Sequence, residues 1–498
     1  MRCRRLLVAA IVAAAIPGMG LGGCAVNPAT GEKVFTGGIS GAREKAAGRK
    51  AHPQVLSQFG PRLDNEELQS YVNSVGQLLA RTTERRDLDY TFTVVDSDMV
   101  NAFAVPGGYI YITRGLLALF DDEAELAGVL GHELGHITAL HYARGQGQAI
   151  LAQIGVLAAD ILAQQAGAGT AVRNVLGDLT GTAAFAYLRS HSRENEYESD
   201  DLGIRYIARA GYDTRGVARM LAKIRTHARL QARLAGRSPD EIDRFDYTAT
   251  HPAPAKRVRR ALDNAARTPV RDPMVAREIY LEKIDGLFYG GSPEQGFVRG
   301  REFVHPTLRF RFSVPETFTL HNTPRTVIAS GSGGAQISLR LHGRGQTRSA
   351  TEFLRGRWAG KLSLGRIEEL TVNGQPAATA RAAAQSARGA VDVRILVVGS
   401  DADRVYETIF VFPRRWGSGL EAAYREVAAS LRELTASEAA TYRPRRIAVV
   451  EARAGDTQQS LARRMAVEKR PLEHFRALNG LEPGDRIVPG RLLKLVVE

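Results

Sequence analysis

The hexapeptide Gly131-His132-Glu133-Leu134-Gly135-His136 constrains this chain more than any other stretch. Two histidines four residues apart share one face of a helix, about a turn apart, and can aim ring nitrogens at a single ion. Glu133 sits about 100° round the same helix, near enough to reach a water beside that ion without occupying a ligand position. The flanking sequence predicts a helix from the acidic turn Asp121-Asp122-Glu123 through ELAGVLGHELGHITALHYAR, which would place the motif in its middle. On that continuous helix His141 falls about 140° from His136, so it reads as an outer partner or a packing residue.

Two histidines need a third protein ligand before they can hold a catalytic metal. SRENEYESDDLG (192–203) offers one. Glu196 and Asp200 are spaced i, i+4 and share a face, so Glu196 can ligate while Asp200 accepts the far N–H of a ligand histidine, His132 foremost. Glu194 and Glu198 compete for the ligand role, although only Glu196 pairs with Asp200 at this spacing.

Length, charge and the amino terminus bound the rest. A chain of 498 residues exceeds one compact core. Its net charge of +14 is spread along the sequence, without the basic–aromatic runs of a nucleic-acid binder, and favours anionic lipid or cell-wall polymer. MRCRR followed by LLVAAIVAAAIPGMG and Leu21-Gly22-Gly23-Cys24 has the layout of a signal segment ending in a cysteine. It resembles the lipobox of bacterial lipoproteins, which implies a signal peptide over residues 1–24 cut just before Cys24, lipidation of Cys24 as the first mature residue, and a periplasm-facing, outer-membrane anchor. One cysteine would then remain, so no disulfide is expected.

Three segments follow from composition and pattern. Residues 25–290 begin with a Gly-rich tether (NPATGEKVFTGGISG) and read as mainly helical, with one strand–turn–strand, YTFTVVDS then NAFAVPGGYIYIT, around Pro106-Gly107-Gly108. AILAQIGVLAADILAQQAGAG (149–169) carries Asp160 and reads as a buried or surface-lying hairpin helix, not a membrane span. Residues 300–437 show short strand-like runs closed by one helix, a β-rich α+β domain of undefined role. Residues 446–498 read as a small βααβ unit, with linkers expected near 290–300 and 437–446. The fold class is therefore α+β and multidomain.

GHELGH, Glu196-Tyr197-Glu198-Ser199-Asp200 and NAFAVPGGYIYITRGLL together resemble the zinc metallopeptidases that include the CAAX prenyl protease, HtpX and BepA, over about residues 40–285. The resemblance implies a zincin-type domain with one Zn2+ per chain held by His132, His136 and Glu196. It makes Glu133 the base that takes a proton from water and returns it to the leaving amine. It also implies a substrate edge strand at Asn101, Ala102, Phe103, Ala104, Pro106, Gly107 and Gly108. Ser199 stands where the family commonly has alanine. His251, in a His-Pro pair frequent in this region of the family, is the candidate zinc cap or oxyanion partner; a loop histidine ordering a Pro-rich turn is the other reading.

ARAGDTQQSLARRM, LNGL and PGRLLKLV resemble a LysM module, which implies peptidoglycan as a partner. The expected function is a lipid-anchored periplasmic zinc metalloendopeptidase acting on unfolded or stalled envelope proteins in quality control. A low-activity chaperone or scaffold docked on peptidoglycan, or a stem-peptide hydrolase, are the alternatives.

Overall fold

A computed structural model of the chain describes residues 23–146, 192–244, 251, 255–343, 349–386, 389–400 and 404–498. The signal segment 1–22, the apolar stretch 149–169 and His191 lie outside the described residues.

Residues 27–41 do not form the expected loose tether. A hairpin of β1 (Cys24–Val26) and β2 (Lys33–Phe35) pairs Cys24 with Phe35 and buries Asn27 completely. Its turn passes through Gly31 at φ +78°, a left-handed conformation glycine adopts without strain. After it come helices α1 (Gly41–Phe59) and α2 (Glu66–Ala80); Asn65 caps α2 by accepting from the Leu68 N–H.

A three-stranded sheet follows, with β3 (Thr91–Val95), β4 (Ala102–Val105) and β5 (Tyr109–Thr113) in the order β3-β5-β4. β5 runs parallel to β3 and antiparallel to β4, and β4 forms the sheet edge. Gly107 and Gly108, at φ +83° and +93°, make the turn that the sequence places between the last two strands.

The longer helices that follow are α3 (Arg114–Leu119), α4 (Glu123–Thr138), α5 (Arg193–Arg209), α6 (Gly216–Leu234), α7 (Ala255–Arg267) and α8 (Arg277–Ile284). Asp122 caps α4 through the Glu125 N–H. α4 packs on α5 almost backbone to backbone. A Cβ on Gly131 would meet the Gly203 carbonyl at 3.2 Å, and one on Gly135 the Ser199 Cα at 3.0 Å. The small residues Gly131, Gly135, Ser199 and Gly203 thus set the spacing between the helix carrying HExxH and the helix carrying Glu196.

α4 is shorter than its sequence pattern suggests. It ends at Thr138, Leu140 takes φ +57°, and a new helical turn starts at His141. The motif occupies the last turns of α4, not its middle. Helical periodicity continues across this break, so the pattern conceals it.

The β-rich region folds as expected around two sheets. A four-stranded sheet is ordered β16-β8-β7-β6, from β6 (Phe297–Arg299), β7 (Glu302–His305), β8 (Phe310–Ser313) and β16 (Arg432–Glu433). A seven-stranded antiparallel sheet is ordered β12-β13-β14-β15-β11-β10-β9. Its strands are β9 (Phe318–Asn322), β10 (Val327–Gly331), β11 (Gln336–Gly343), β12 (Glu368–Val372), β13 (Gln375–Ser386), β14 (Gly389–Ser400) and β15 (Arg404–Pro413). β15 alternates faces: Tyr406, Phe410 and Phe412 pack with α10 (Gly417–Ser430), while Val405, Ile409 and Val411 pack with α9 (Ala350–Trp358).

Neither expected linker is a free tether. Ser292 is fully buried and donates to Asp96 Oδ2 at 2.8 Å, while Phe297–Arg299 forms β6. Ala436–Thr441 forms α11, closed by a Thr435–Glu438 capping box.

The carboxy-terminal unit is β17 (Arg446–Glu451), α12 (Gln458–Ala462), α13 (Pro471–Asn479) and β18 (Leu492–Val497), with the two strands antiparallel. This βααβ order matches the sequence reading, but the unit is not separate. Ile447, Leu461, Phe475, Leu493 and Leu495 belong to one apolar core with Ala124, Leu126 and Leu130 of α4.

Candidate metal centre

α4 and α5 bring His132, His136 and Glu196 together, and His251 joins them from the segment before α7. One ligand atom from each lies within 4.8 Å of all the others. His132 Nε2 is 3.1 Å from His136 Nε2 and 3.5 Å from Glu196 Oε2. His136 Nε2 is 3.4 Å from Glu196 Oε1. His251 Nδ1 is 3.2 Å from His132 Nε2 and 3.0 Å from Glu196 Oε1. Tetrahedral zinc with nitrogen and oxygen ligands at about 2.0–2.1 Å requires ligand–ligand separations of about 3.3 Å. The five edges quoted bracket that value.

Proton placement gives the same answer. His132 Nδ1 faces Asp200 Oδ1 at 2.9 Å, and His136 Nδ1 faces His141 Nδ1 at 2.8 Å. With the hydrogens on those Nδ1 atoms, both Nε2 lone pairs point at each other across 3.1 Å. Such an arrangement repels unless a proton or a metal ion lies between them. The site fits zinc.

Charge supports it further. Glu133, Glu196 and Asp200 are almost fully buried, and so is Arg257. Three carboxylates and one guanidinium leave two negative charges for a divalent ion to balance. Burial acts to raise the Glu196 pKa, but His251 and Arg257 overcome it and hold it well below the usual carboxylate range. Asp200 is likewise held down by Arg257 and His132 against its burial. Burial pulls His132 down, yet hydrogen bonds to Asp200 and Glu196 bring its pKa up to about 9. The pocket is tuned to accept positive charge.

Glu133 stands beside the ligands, with Oε1 3.5 Å from His251 Nε2 and Oε2 buried without a hydrogen-bond partner among the described residues. Glu198, the competing carboxylate, points away from the cluster to His141 Nε2 at 3.0 Å and Arg144 Nη1 at 2.8 Å. Asn101 and Ala102–Val105 lie along the sheet edge, and β4 packs beside α4. Cys24 is exposed in β1. No described helix is long and apolar enough to cross a membrane.

Two contributors were not legible in the sequence. Arg257 of α7 places Nη1 2.6 Å from Glu196 Oε2, and its Nε and Nη2 donate to both oxygens of Asp200 at 2.9 and 2.8 Å. It lies in KRVRR among other arginines, so nothing local distinguishes it. Asn27 is the other, joined to Glu198 across 171 positions of sequence.

A buried His-His-Glu ligand set, split between an HExxH helix and a facing helix, defines a zinc metallopeptidase site. The segment containing it, residues 66–265, matches the model of Peptidase family M48, and the zinc site of that family is here His132, His136 and Glu196. The chain is 29% identical over 235 residues to the beta-barrel assembly-enhancing protease of Escherichia coli (strain K12), covering 46% of this chain and 45% of that protein. Over 196 residues it is 32% identical to the mitochondrial metalloendopeptidase OMA1 of Arabidopsis thaliana, covering 39% and 36%. The metalloprotease YcaL of Escherichia coli (strain K12) is 31% identical over 168 residues, covering 34% and 59%. The chain therefore spans about half the length of the curated relatives it matches.

Proposed function

We propose that the protein is a zinc metalloendopeptidase of the bacterial envelope, lipid-anchored through Cys24, that cleaves extended segments of unfolded or stalled envelope proteins. The observation that carries the reading is the Glu133 carboxylate, buried beside the His132–His136–Glu196 set with one oxygen unpartnered. When bound, zinc supplies Lewis-acid polarisation of the peptide carbonyl and acidifies a water. Glu133 takes the proton from the attacking water and delivers it to the leaving amine. Asp200 fixes the His132 tautomer, and Arg257 holds Asp200 and Glu196 in register. The outer edge of β4 receives extended substrate as an added strand, with Asn101 and Ala102–Val105 on the ledge.

Envelope substrates are supported by the similarity to the beta-barrel assembly-enhancing protease. The lipobox-like residues before Cys24 support the anchor, and the LysM-like pattern supports docking on peptidoglycan. His251 acts as a removable cap. Its Nδ1 lies with the ligand atoms of His132, His136 and Glu196, where it would take the fourth position around a bound zinc. Proteolysis of denatured envelope protein by purified full chain, wild type against Glu133→Gln, tests the enzyme reading: equal degradation by both would remove it.

A further inference from the structure

The two ligand histidines are oriented by different means. His132 is held by Asp200, which shares α5 with the ligand Glu196. His136 is held by a chain of hydrogen bonds that leaves the helical core and ends in the amino-terminal hairpin. We propose that Asn27 is a positioning residue of the zinc site, acting on His136 through Glu198 and His141.

Each proton in the chain is fixed by its neighbour. His136 turns Nε2 toward the ligand cluster, so its Nδ1 carries the hydrogen and donates to His141 Nδ1 at 2.8 Å. His141 then carries its own hydrogen on Nε2 and donates to Glu198 Oε2 at 3.0 Å. Arg144 Nη1 donates to the same oxygen at 2.8 Å. The second oxygen, Oε1, accepts from Asn27 Nδ2 at 3.0 Å. His141 and Asn27 are buried, so water does not substitute readily for either. The break in α4 is what makes the first link: the left-handed Leu140 turns the His141 ring back onto His136.

Asn27 is itself rigidly held. Its Oδ1 accepts from the Ala29 N–H at 2.9 Å, its N–H donates to the Glu32 carbonyl at 2.7 Å, and its carbonyl accepts from the Gly31 N–H at 2.8 Å. Arg205 of α5 grips the same turn through the Ala29 carbonyl at 3.3 Å. Asn27 is the third residue after Cys24, a reach of about 10 Å. The segment that would emerge from the lipid surface therefore ends directly on the support of a zinc ligand. Direct partners of a ligand, His141 here, typically change metal affinity by about 10- to 100-fold when removed, and Asn27 lies two hydrogen bonds further along the same chain.

The test uses purified full-length protein and measures zinc affinity by competition with a chromophoric chelator, with the melting midpoint of the metal-free protein as control. Asn27→Asp is the decisive variant. It keeps the acceptor for the Ala29 N–H and loses the donor to Glu198. Asn27→Asp and Asn27→Ala should each weaken zinc binding by about tenfold; Asn27→Asp also buries a second carboxylate against Glu198, so its metal-free midpoint should fall, and the affinity is read at a temperature where the variant is fully folded. His141→Gln should weaken it as much or more, and adding Asn27→Ala to His141→Gln should cost nothing further, since both cut one chain. Wild-type zinc affinity in Asn27→Asp, or additive losses in the double variant, would overturn the proposal. If His141→Gln does not fold, the Asn27→Asp measurement decides alone.

Discussion

Lys494, fully buried in β18, places Nζ 3.1 Å from Asp121 Oδ1, at the residue before the cap of the HExxH helix. The same ammonium donates to the carbonyls of Ala118 and Leu119 at 3.1 and 2.8 Å, satisfying the open end of α3. Lys223 of α6 approaches the other Asp121 oxygen at 2.7 Å and donates to the Leu478 carbonyl at 3.0 Å. The carboxy-terminal unit is thereby wired to the helix that carries the metal ligands.

Lys494→Met should accordingly destabilise the whole helical region, because it leaves Asp121 Oδ1 and the carbonyls at the end of α3 without their buried cation, with only Lys223 still on Asp121. Breaking a buried charge pair of this kind costs about 3–5 kcal/mol. Chemical denaturation should show a single transition moved to lower denaturant, not a separate early loss of residues 446–498. An early, separate transition would mean that the unit folds independently.

Glu133→Gln should lower peptide hydrolysis by about 10²- to 10⁴-fold, the range for loss of a general base, while zinc content stays at wild-type level. Metal analysis alongside a fluorogenic peptide assay checks both halves. Loss of zinc in this variant would reassign Glu133 to metal binding.

His251→Ala should separate capping from catalysis. With the cap gone, peptide hydrolysis rises and zinc binding weakens, since one of the four converging ligand atoms is lost. Unchanged activity together with unchanged metal affinity would leave His251 as a loop residue only.

His305 gives the β-rich domain an acid-sensitive point. Burial, then the nearby Arg404, push its pKa down to about 4 from an ordinary 6.5. Its Nδ1 accepts from the Leu308 N–H at 3.2 Å, and a proton there would remove the acceptor. The folded-state pKa is lower than the unfolded one, so the unfolded chain binds more protons between the two values. Stability is therefore full above about pH 6.5 and falls as pH drops toward 4, by up to about 3 kcal/mol. Thermal melts from pH 7 to 4 should show this slope in wild type and a shallower one in His305→Gln.

Local patterns carried much of the site. The i, i+4 pairs His132/His136 and Glu196/Asp200 were readable because helix geometry alone places such residues on one face. The β4–β5 hairpin was readable because Pro-Gly-Gly between alternating strands admits few backbones.

What the sequence could not contain is which helix faces which. Gly131, Gly135, Ser199 and Gly203 are small residues in any reading; only their contact turns them into the spacer that sets His132 and His136 against Glu196. His141 illustrates the limit best. Helical periodicity runs through Leu140, and on that wheel His141 points away, but tertiary packing breaks the helix and sends the ring to His136. Arg257, Asn27 and Lys494 are unremarkable in their own neighbourhoods and reach their partners across 57, 171 and more than 370 positions. Periodicity records a residue's neighbours within a few turns, so it settles the elements and their faces. Long-range charge pairing, helix breaks and close backbone contact depend on which surfaces are buried together, and that is decided only when the chain is packed.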